Sequence, residues 1–260
     1  MLFRSRGSLS ARTRLVTWPV RGRLRIVSTR PAAYNRRDPP KVFSRMSNLA
    51  AARFNMIEAQ IRTNDVTDVR IHAALDAVAR ERFVPTAKRA LAYADVPVEI
   101  APGRYLLDPR SFAKALQLAR VTADDRVLDV GCGTGYSAAI LGRLAANVVA
   151  LEQDADLVRV ASGLLANDAN IQLTQGALIE GFPSGGLYDV IFVNGAIEAE
   201  PQTLLAQLEE GGRLVAFLQS GAQGRAMLYL KDHGQVGYRA DFDANVPLLA
   251  GFKKHIGFVF

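Results

Sequence analysis

The amino-acid sequence predicts an α/β protein built on a Rossmann-like, doubly wound and mainly parallel sheet of seven strands. From residue 126 onward, short apolar segments alternate with amphipathic segments of helical period. This alternation is typical of a parallel sheet covered by helices on both faces. A glycine-rich turn, Gly131–Gly135, links the first strand to a helix. The last two strands lie close together in sequence, which favours an antiparallel C-terminal hairpin at the sheet edge.

An N-terminal helical extension is predicted ahead of the sheet. Apolar residues recur at helical spacing over Met46–Arg62 and again beyond Thr67 and Asp68, either of which can cap a second helix. Proline and glycine recur in residues 94–109, so this segment is predicted to be a loop. A further helix is expected over Arg110–Ala119, directly before the first strand of the sheet.

The elements of the sheet region follow in alternation. Strands are predicted at Arg126–Val130, Val148–Leu151, Ile171–Thr174, Tyr188–Val193, Arg213–Leu218, Met227–Leu230 and Val236–Ala240. Helices are predicted at Tyr136–Ala145, Ala155–Ala166 and Gln202–Gln207. In such sheets a ligand binds in a crevice outside the carboxyl ends of the strands. The residues that end the first, second and fourth strands are therefore expected to line one site.

Charge divides the chain near residue 45. Residues 1–45 hold twelve basic residues and one acid, whereas the remainder carries a net charge of −4. Three interpretations of residues 1–45 stay open. They form a disordered extension with little periodic apolar surface, an arginine-rich organellar targeting segment, or the product of a start site assigned too early, with Met46 the true start. Residues 46–260 are predicted to form the folded domain.

Composition excludes several classes of protein. Cys132 is the single cysteine, which excludes an intrachain disulfide framework and a cysteine-rich zinc site; no metal site is predicted. It also fits a reducing compartment, and the cytoplasm is expected. The apolar runs are too short to cross a bilayer. Because the basic excess lies in residues 1–45, no nucleic-acid partner is predicted for the domain.

The strongest chemical signal is the segment Leu128–Tyr136, which lies between a predicted strand and a predicted helix. Its glycines allow positive φ and let a ligand lie against the backbone. The start of the following helix offers free N–H groups to an anionic group. Asp129, at the end of the strand, can bind a ligand ammonium group, and Glu152, which ends the second strand, can accept both hydroxyls of a ribose.

The glycine spacing helps to discriminate between cofactors. An acid about 20 residues past the first glycine also fits a dinucleotide site, and Glu152 meets that requirement. The third glycine, however, is Gly135, and the dinucleotide pattern would place it at Tyr136. A tyrosine is too bulky for the close helix–strand packing that glycine permits there. The spacing therefore disfavours NAD, and a structural turn without a ligand is the alternative.

Further segments complete a pattern that extends from residue 56 to residue 260. They are Met56–Arg62, Arg80–Pro85, Tyr93–Pro97, Glu180–Pro183, Tyr188–Val193, Leu208–Val215 and Val246–Leu249. Together with the glycine loop they resemble the protein-L-isoaspartate O-methyltransferases, a family of class I S-adenosylmethionine-dependent methyltransferases. The stretch Arg82–Pro85 is distinctive for this family. The resemblance implies methylation of isoaspartyl residues in damaged proteins, which are then the expected partners of a monomeric enzyme.

The resemblance also implies a cofactor site for S-adenosylmethionine. Its expected residues are Asp129, Gly131, Cys132, Gly133, Gly135, Glu152, Ala177 and Asn194. The family has Gly-Asp-Gly after the third strand, and its aspartate contacts the adenine, whereas this chain has Gly176–Leu178 with alanine in the middle. One hydrogen-bond partner is thus missing, and cofactor binding is expected to survive.

The acceptor loop departs from the family at one position. The family has Thr-Ile-Ser-x-Pro there and uses the serine in its active site, whereas Leu107 stands at the serine position in Tyr105–Pro109. Losing one charge-assisted hydrogen bond costs on the order of 2 kcal/mol, roughly thirtyfold in rate. Arg110 and Ser111 are candidate substitutes, or else a polar pair that merely starts a helix. The catalytic residue is therefore unassigned, and two alternatives stay open: a diverged methyltransferase with another acceptor, and a non-catalytic S-adenosylmethionine-binding relative.

Overall fold

The computed structural model describes residues 41–254 of the 260-residue chain, and of residues 41–47 it describes the backbone only. The arginine-rich extension predicted for residues 1–45 thus lies mostly outside the described residues, and its nature stays a prediction. The first helix begins at Lys41, five residues ahead of Met46. Among the described residues, no helix combines the length and the apolar character needed to span a membrane.

Six α-helices and nine strands make up the described part. The helices are α1 (Lys41–Met56), α2 (Val69–Ala77), α3 (Pro109–Ala119), α4 (Tyr136–Leu141), α5 (Ala155–Leu164) and α6 (Gln202–Leu205). The strands are β1 (Val98–Ala101), β2 (Arg104–Leu106), β3 (Arg126–Val130), β4 (Asn147–Glu152), β5 (Ile171–Gln175), β6 (Tyr188–Ile197), β7 (Leu208–Ser220), β8 (Gln223–Asp232) and β9 (Gln235–Asp243). A π-helical turn, Ile57–Ile61, continues α1.

The large sheet has seven strands in the order β5-β4-β3-β6-β7-β8-β9. The strands from β5 to β7 pair in parallel, whereas β8 pairs antiparallel with both β7 and β9. The predicted architecture is therefore confirmed: a Rossmann-like, mainly parallel sheet with an antiparallel C-terminal hairpin and a helical extension before it.

The central strands are apolar at nearly every position because helices cover both faces of the sheet. In β6, Val190 and Phe192 pack into one apolar cluster, while Ile191 and Val193 pack into the other. This alternation follows from the pleat, which sends successive side chains to opposite faces. The first cluster also receives Phe112 from α3, whose ring lies 5.7 Å from that of Phe192.

Acidic N-caps fix the starts of three helices. The Asp68 carboxylate accepts a hydrogen bond from the Arg70 amide at α2, which confirms one of the two predicted caps. Asp108 caps α3, where Pro109 occupies the first turn, and Asp154 accepts from two backbone amides of α5. Asp154 follows the last residue of β4 by two positions, so α5 begins at the same edge of the sheet as the glycine loop.

The structure corrects several predicted elements. The predicted loop at residues 94–109 contains the β1–β2 hairpin, whose strands have four and three residues and turn at Gly103 with φ of +69°. Strands this short leave almost no alternation for a sequence pattern to detect. The strand predicted from residue 213 begins at Leu208 instead, so that Gly211 and Gly212 lie within it. The helices predicted to end at residues 145 and 207 end at Leu141 and Leu205.

Candidate active site

The carboxyl ends of β3, β4, β5 and β6 lie side by side at one edge of the sheet, and we refer to the space beside this edge as the crevice. The Gly131 amide, just past β3, donates a hydrogen bond of 2.8 Å to the Leu151 carbonyl of β4. On the other side of β4, the Gly176 amide donates one of 3.0 Å to the Glu152 carbonyl. The loops that follow β3 and β5 are thus both attached to the end of β4, as expected for a ligand site at this edge.

The glycine loop has the backbone conformation predicted from its sequence. Gly131, Gly133 and Gly135 have φ values of +77°, +60° and +97°, respectively. Only glycine adopts such values without strain. A Cβ atom on Gly135 would also lie 2.8 Å from a methyl carbon of Leu165. The turn therefore depends on its glycines, and it ends at the first residue of α4.

Asp129 lies fully buried at the centre of the crevice. Its carboxylate accepts hydrogen bonds from the Ser137 hydroxyl, at 2.7 Å, and from the Asn194 amide. Burial raises the pKa of Asp129 to about 7, and the nearby Glu152 adds to this rise, while the two hydrogen bonds oppose it. A cationic group placed here would stabilise the ionised form. This environment supports the predicted ammonium-binding role and brings Asn194 to the same point.

Glu152 is also fully buried, and its two oxygens accept hydrogen bonds from three backbone amides. The Gly133 amide donates to Oε2 at 2.8 Å, and the amides of Gln153 and Asp154 donate to Oε1 at 2.8 and 3.0 Å. The guanidinium of Arg104 binds both oxygens as well, with an Nη2–Oε2 distance of 2.6 Å. No feature of the sequence identified Arg104, because a lone arginine in a predicted loop carries no sign of burial.

Three side chains lie directly on the glycine loop. Cβ atoms built on Gly133 and Gly131 would lie 2.6 Å from Ile100 Cδ1 and 2.9 Å from Leu249 Cδ1, respectively. Arg104 Nη2 would lie 3.5 Å from the second of these Cβ atoms. The β1–β2 hairpin and the segment around Leu249 therefore cover the loop and exclude water from it.

The segment around Leu249 is attached to the end of β6. The Ala196 amide donates a hydrogen bond to the Pro247 carbonyl, and the Leu249 amide donates one to the Ala196 carbonyl, both at 2.8 Å. The sequence segment Val246–Leu249, singled out for its family pattern, thus forms one wall of the crevice.

Leu107 has its side chain buried, and its carbonyl accepts a hydrogen bond from Arg80. Arg80 is 1% exposed, also donates to the Ala92 carbonyl at 2.7 Å, and lies 4.9 Å from the ring centre of Tyr136. Burial lowers the pKa of Arg80, yet an arginine stays charged at neutral pH. Arg80 therefore fixes the backbone at the position where the family has its serine.

The two suggested substitutes for that serine lie in the first turn of α3. Arg110 is half-exposed, and its guanidinium faces the Asp95 carboxylate at 3.9 Å. Ser111 is buried, and its amide donates to the Asp108 carboxylate at 2.8 Å. Asp108 is thus engaged in capping the helix. The contacts of Ser111 and Asp108 are those of an ordinary helix start, and the suggested catalytic roles of Arg110 and Ser111 stay predictions.

The remaining predicted cofactor residues occupy the ends of loops. Cys132 is buried in the glycine loop, and burial together with the nearby carboxylates raises the pKa of its thiol. It therefore stays neutral and packs as a small apolar residue. Ala177 precedes a 3₁₀ turn, Leu178–Glu180, after β5. Its methyl group offers no hydrogen bond, as the sequence indicated.

The residues present fit the polar groups of S-adenosylmethionine. Buried carboxylates suit a ribose diol and an ammonium group, and the glycine loop allows close approach of a ligand. The space beside them holds Arg104 and Ile100 of the hairpin, so the fit requires that the hairpin side chains move. A separate group of metal-ligand type, Glu210, Asp232 and His233, is exposed near the start of β7, at the amino edge of the parallel strands and thus opposite the glycine loop.

Comparisons with known proteins point to one family. The family model described as protein-L-isoaspartate(D-aspartate) O-methyltransferase matches residues 52–248. A protein-L-isoaspartate O-methyltransferase of Rhodopseudomonas palustris is 34% identical over 201 residues, which cover 75% of this chain and 91% of the relative. One of Koribacter versatilis is 38% identical over 172 residues, or 65% of this chain and 78% of the relative.

Solved structures show the same fold. A putative protein-L-isoaspartate O-methyltransferase from Plasmodium falciparum, in complex with S-adenosyl-L-homocysteine, has a TM-score of 0.66. It is 21% identical, and the alignment covers 80% of this chain and 99% of that one. A second structure of this name has a TM-score of 0.65 at 24% identity and covers 76% of this chain and 66% of the other.

Proposed function

Because the chain belongs to the protein-L-isoaspartate(D-aspartate) O-methyltransferase family, we propose that it methylates the free carboxylate of isoaspartyl residues in damaged proteins. The methyl donor is S-adenosylmethionine. The observation that carries the proposal is the match over residues 52–248, which includes both buried acids and the glycine loop between them. The amide nitrogen of the following residue would then attack the methyl ester and release methanol, and water would open the resulting succinimide partly to normal aspartate.

The chain's own residues account for binding of the donor. Glu152 accepts the ribose hydroxyls, Asp129 holds the ammonium group, and the backbone around Gly131 and Gly133 lies against the ligand. When bound, the donor supplies a methyl group on a positively charged sulfur. Asn194 and Ser137 orient the Asp129 carboxylate through the hydrogen bonds described above.

The reaction requires no strong base from the protein. A carboxyl group ionises near pH 4, so the acceptor is already an anion at neutral pH. The protein's contribution is to hold the acceptor oxygen in line with the methyl group and to exclude water. The apolar side chains of Ile100 and Leu249, which lie against the glycine loop, exclude water from it.

A second candidate function keeps the donor and changes the acceptor. Leu107 favours it, because a leucine cannot donate a hydrogen bond to a carboxylate. Methyl-ester formation on an isoaspartyl peptide, compared with its aspartyl twin, separates the two candidates. Selective methylation of the isoaspartyl peptide supports the first, and turnover of neither peptide by a protein that binds S-adenosylhomocysteine rejects it. That second result leaves a methyltransferase with another acceptor or a binding protein without turnover.

The expected partners follow from this activity. Damaged proteins or peptides containing isoaspartate are the substrates, and the enzyme acts as a monomer in the cytoplasm without a nucleic-acid partner. The net charge of −4 beyond residue 45 supports the last point, because a polyanion binds a basic surface.

A further inference from the structure

The Arg104–Glu152 ion pair lies where the ribose is proposed to bind. The Arg104 side chain is 7% exposed and that of Glu152 is fully buried. Each carboxylate oxygen of Glu152 already accepts a hydrogen bond from a backbone amide. The Arg104 guanidinium donates to both oxygens as well, where the two hydroxyls of a ribose would have to donate. A ribose therefore binds Glu152 only after Arg104 has left it.

A guanidinium released from this pair requires another anion. A buried charge without a partner is strongly destabilising. Arg104 is the first residue of β2, and Leu107 directly follows that strand. Its side chain lies against the glycine loop and its strand leads directly into the acceptor loop, so the region between the two loops is within its reach. A carboxylate bound in that region would replace Glu152 as its partner.

Two other arginines beside the acceptor loop are already engaged. Arg80 donates to the carbonyls of Ala92 and Leu107, and Arg110 faces Asp95 at the surface. Arg104 differs from both, because it faces the glycine loop and binds the Glu152 carboxylate, to which the ribose of the donor is proposed to bind.

We propose that Arg104 is the carboxylate-binding residue of the acceptor site. It binds Glu152 in the free protein and the carboxylate of the acceptor once the ribose occupies Glu152. This inference rests on the proposed function and assigns to Arg104 the orienting role of the serine that Leu107 replaces. Arginine suits that role because its two parallel N–H groups fit a planar carboxylate, as they do on Glu152 here.

If Arg104 changes partner in this way, substituting it should have opposite effects on the binding of S-adenosylhomocysteine and of the isoaspartyl peptide. In Arg104→Gln, S-adenosylhomocysteine should bind about tenfold more tightly, because it no longer has to displace a guanidinium. An isoaspartyl peptide titrated into protein saturated with S-adenosylhomocysteine should bind about tenfold to a hundredfold more weakly. Isothermal titration calorimetry measures both affinities. A purely structural role would weaken the two together.

Arg213→Gln serves as the matched control. Arg213 forms another buried ion pair, with Asp125 at 2.5 Å, at the amino end of β3 and away from the crevice. Its loss should leave both affinities unchanged.

Amide hydrogen exchange of the wild-type protein tests, without any substitution, whether Arg104 leaves Glu152 when the cofactor binds. Amides of residues 98–106 should exchange faster with S-adenosylhomocysteine alone than in the free protein. They should be protected again when the peptide is added.

Three results would overturn the proposal. They are an unchanged peptide affinity in Arg104→Gln, a weaker affinity for S-adenosylhomocysteine, and hairpin protection that is the same in all three states. Weaker S-adenosylhomocysteine binding with an unchanged peptide affinity would mean that Arg104 binds the donor's own carboxylate, and weakening of both would mean a structural role. Failure of the proposed function has a different signature: the wild-type protein itself neither binds nor methylates the isoaspartyl peptide.

Discussion

The two sides of the crevice are built differently. The cofactor side consists of strand ends and a glycine loop, with Glu152 held by three backbone amides and Asp129 by two side chains. The proposed acceptor side is a hairpin of two short strands and the segment at Leu107 that follows it. Two buried arginines, Arg80 and Arg104, attach it to the rest of the domain. The cofactor side is thus fixed by the sheet, whereas the acceptor side depends on one ion pair and on hydrogen bonds from one arginine to backbone carbonyls.

Glu152→Gln tests the cofactor side and should have the largest effect. A glutamine places an NH₂ group against backbone amides that also donate, and it leaves the Arg104 guanidinium without a partner. The affinity for S-adenosylhomocysteine should fall by roughly a hundredfold, about 3 kcal/mol, as measured by isothermal titration calorimetry. Glu180→Gln, in the loop after β5, is the control. An unchanged affinity in Glu152→Gln would contradict the ribose assignment.

Arg80→Leu tests whether the hydrogen bonds of Arg80 stabilise the backbone of the proposed acceptor side. The substitution leaves the carbonyls of Ala92 and Leu107 without their donor in a buried site. The free energy of unfolding should fall by about 2–4 kcal/mol, measured by urea denaturation. In protein that stays folded, the KM for the peptide should rise more than the dissociation constant for S-adenosylhomocysteine. If both constants rise equally, Arg80 does not act on the acceptor side alone.

Leu107→Ser restores the residue type of the family and should act on the acceptor side only. The role proposed for Arg104 predicts no gain in methylation of an isoaspartyl peptide. A rise of roughly thirtyfold, about 2 kcal/mol, would show that the missing hydroxyl limits turnover and would contradict that role. Leu107→Ala creates similar space without a hydroxyl and is the matched control. An equal gain in both variants would show that the space matters and the hydroxyl does not. No gain would show that another group has taken over the role of the serine.

The pH dependence of cofactor binding tests the cofactor side through the titration of Asp129. Because burial raises the pKa of Asp129 to about 7, binding of a ligand cation below that pH must first release a proton. The affinity for S-adenosylhomocysteine should rise about tenfold per pH unit up to pH 7 and then level off. Asp129→Asn should abolish this dependence. Calorimetry in buffers of different ionisation enthalpy would detect the proton released.

The same group affects the stability of the free protein. An acid whose pKa is higher in the folded state binds its proton more tightly there than in the unfolded chain. The contribution of Asp129 to the free energy of unfolding should therefore fall as pH rises from about 4 to about 7.

The sequence by itself determined the architecture and the cofactor side. Alternating apolar strands and amphipathic helices specify a covered parallel sheet, and local motifs place Asp129 and Glu152 at the ends of adjacent strands. These features are local in the chain, since strand, turn and helix follow one another within about 25 residues of sequence. They also carried the family resemblance that the comparisons confirmed.

Only the tertiary structure decided the acceptor side. Arg104 reaches Glu152 across 48 positions of sequence, and Arg80 reaches Leu107 across 27. Neither contact leaves a periodic or spaced pattern, because each joins one side chain to a distant segment that folding alone brings near. The hairpin that carries Arg104 could not be predicted either, because its strands are too short to show an alternation of apolar and polar residues. Burial and ion pairing between distant segments are properties of the packed molecule, and these determine which residue covers the glycine loop.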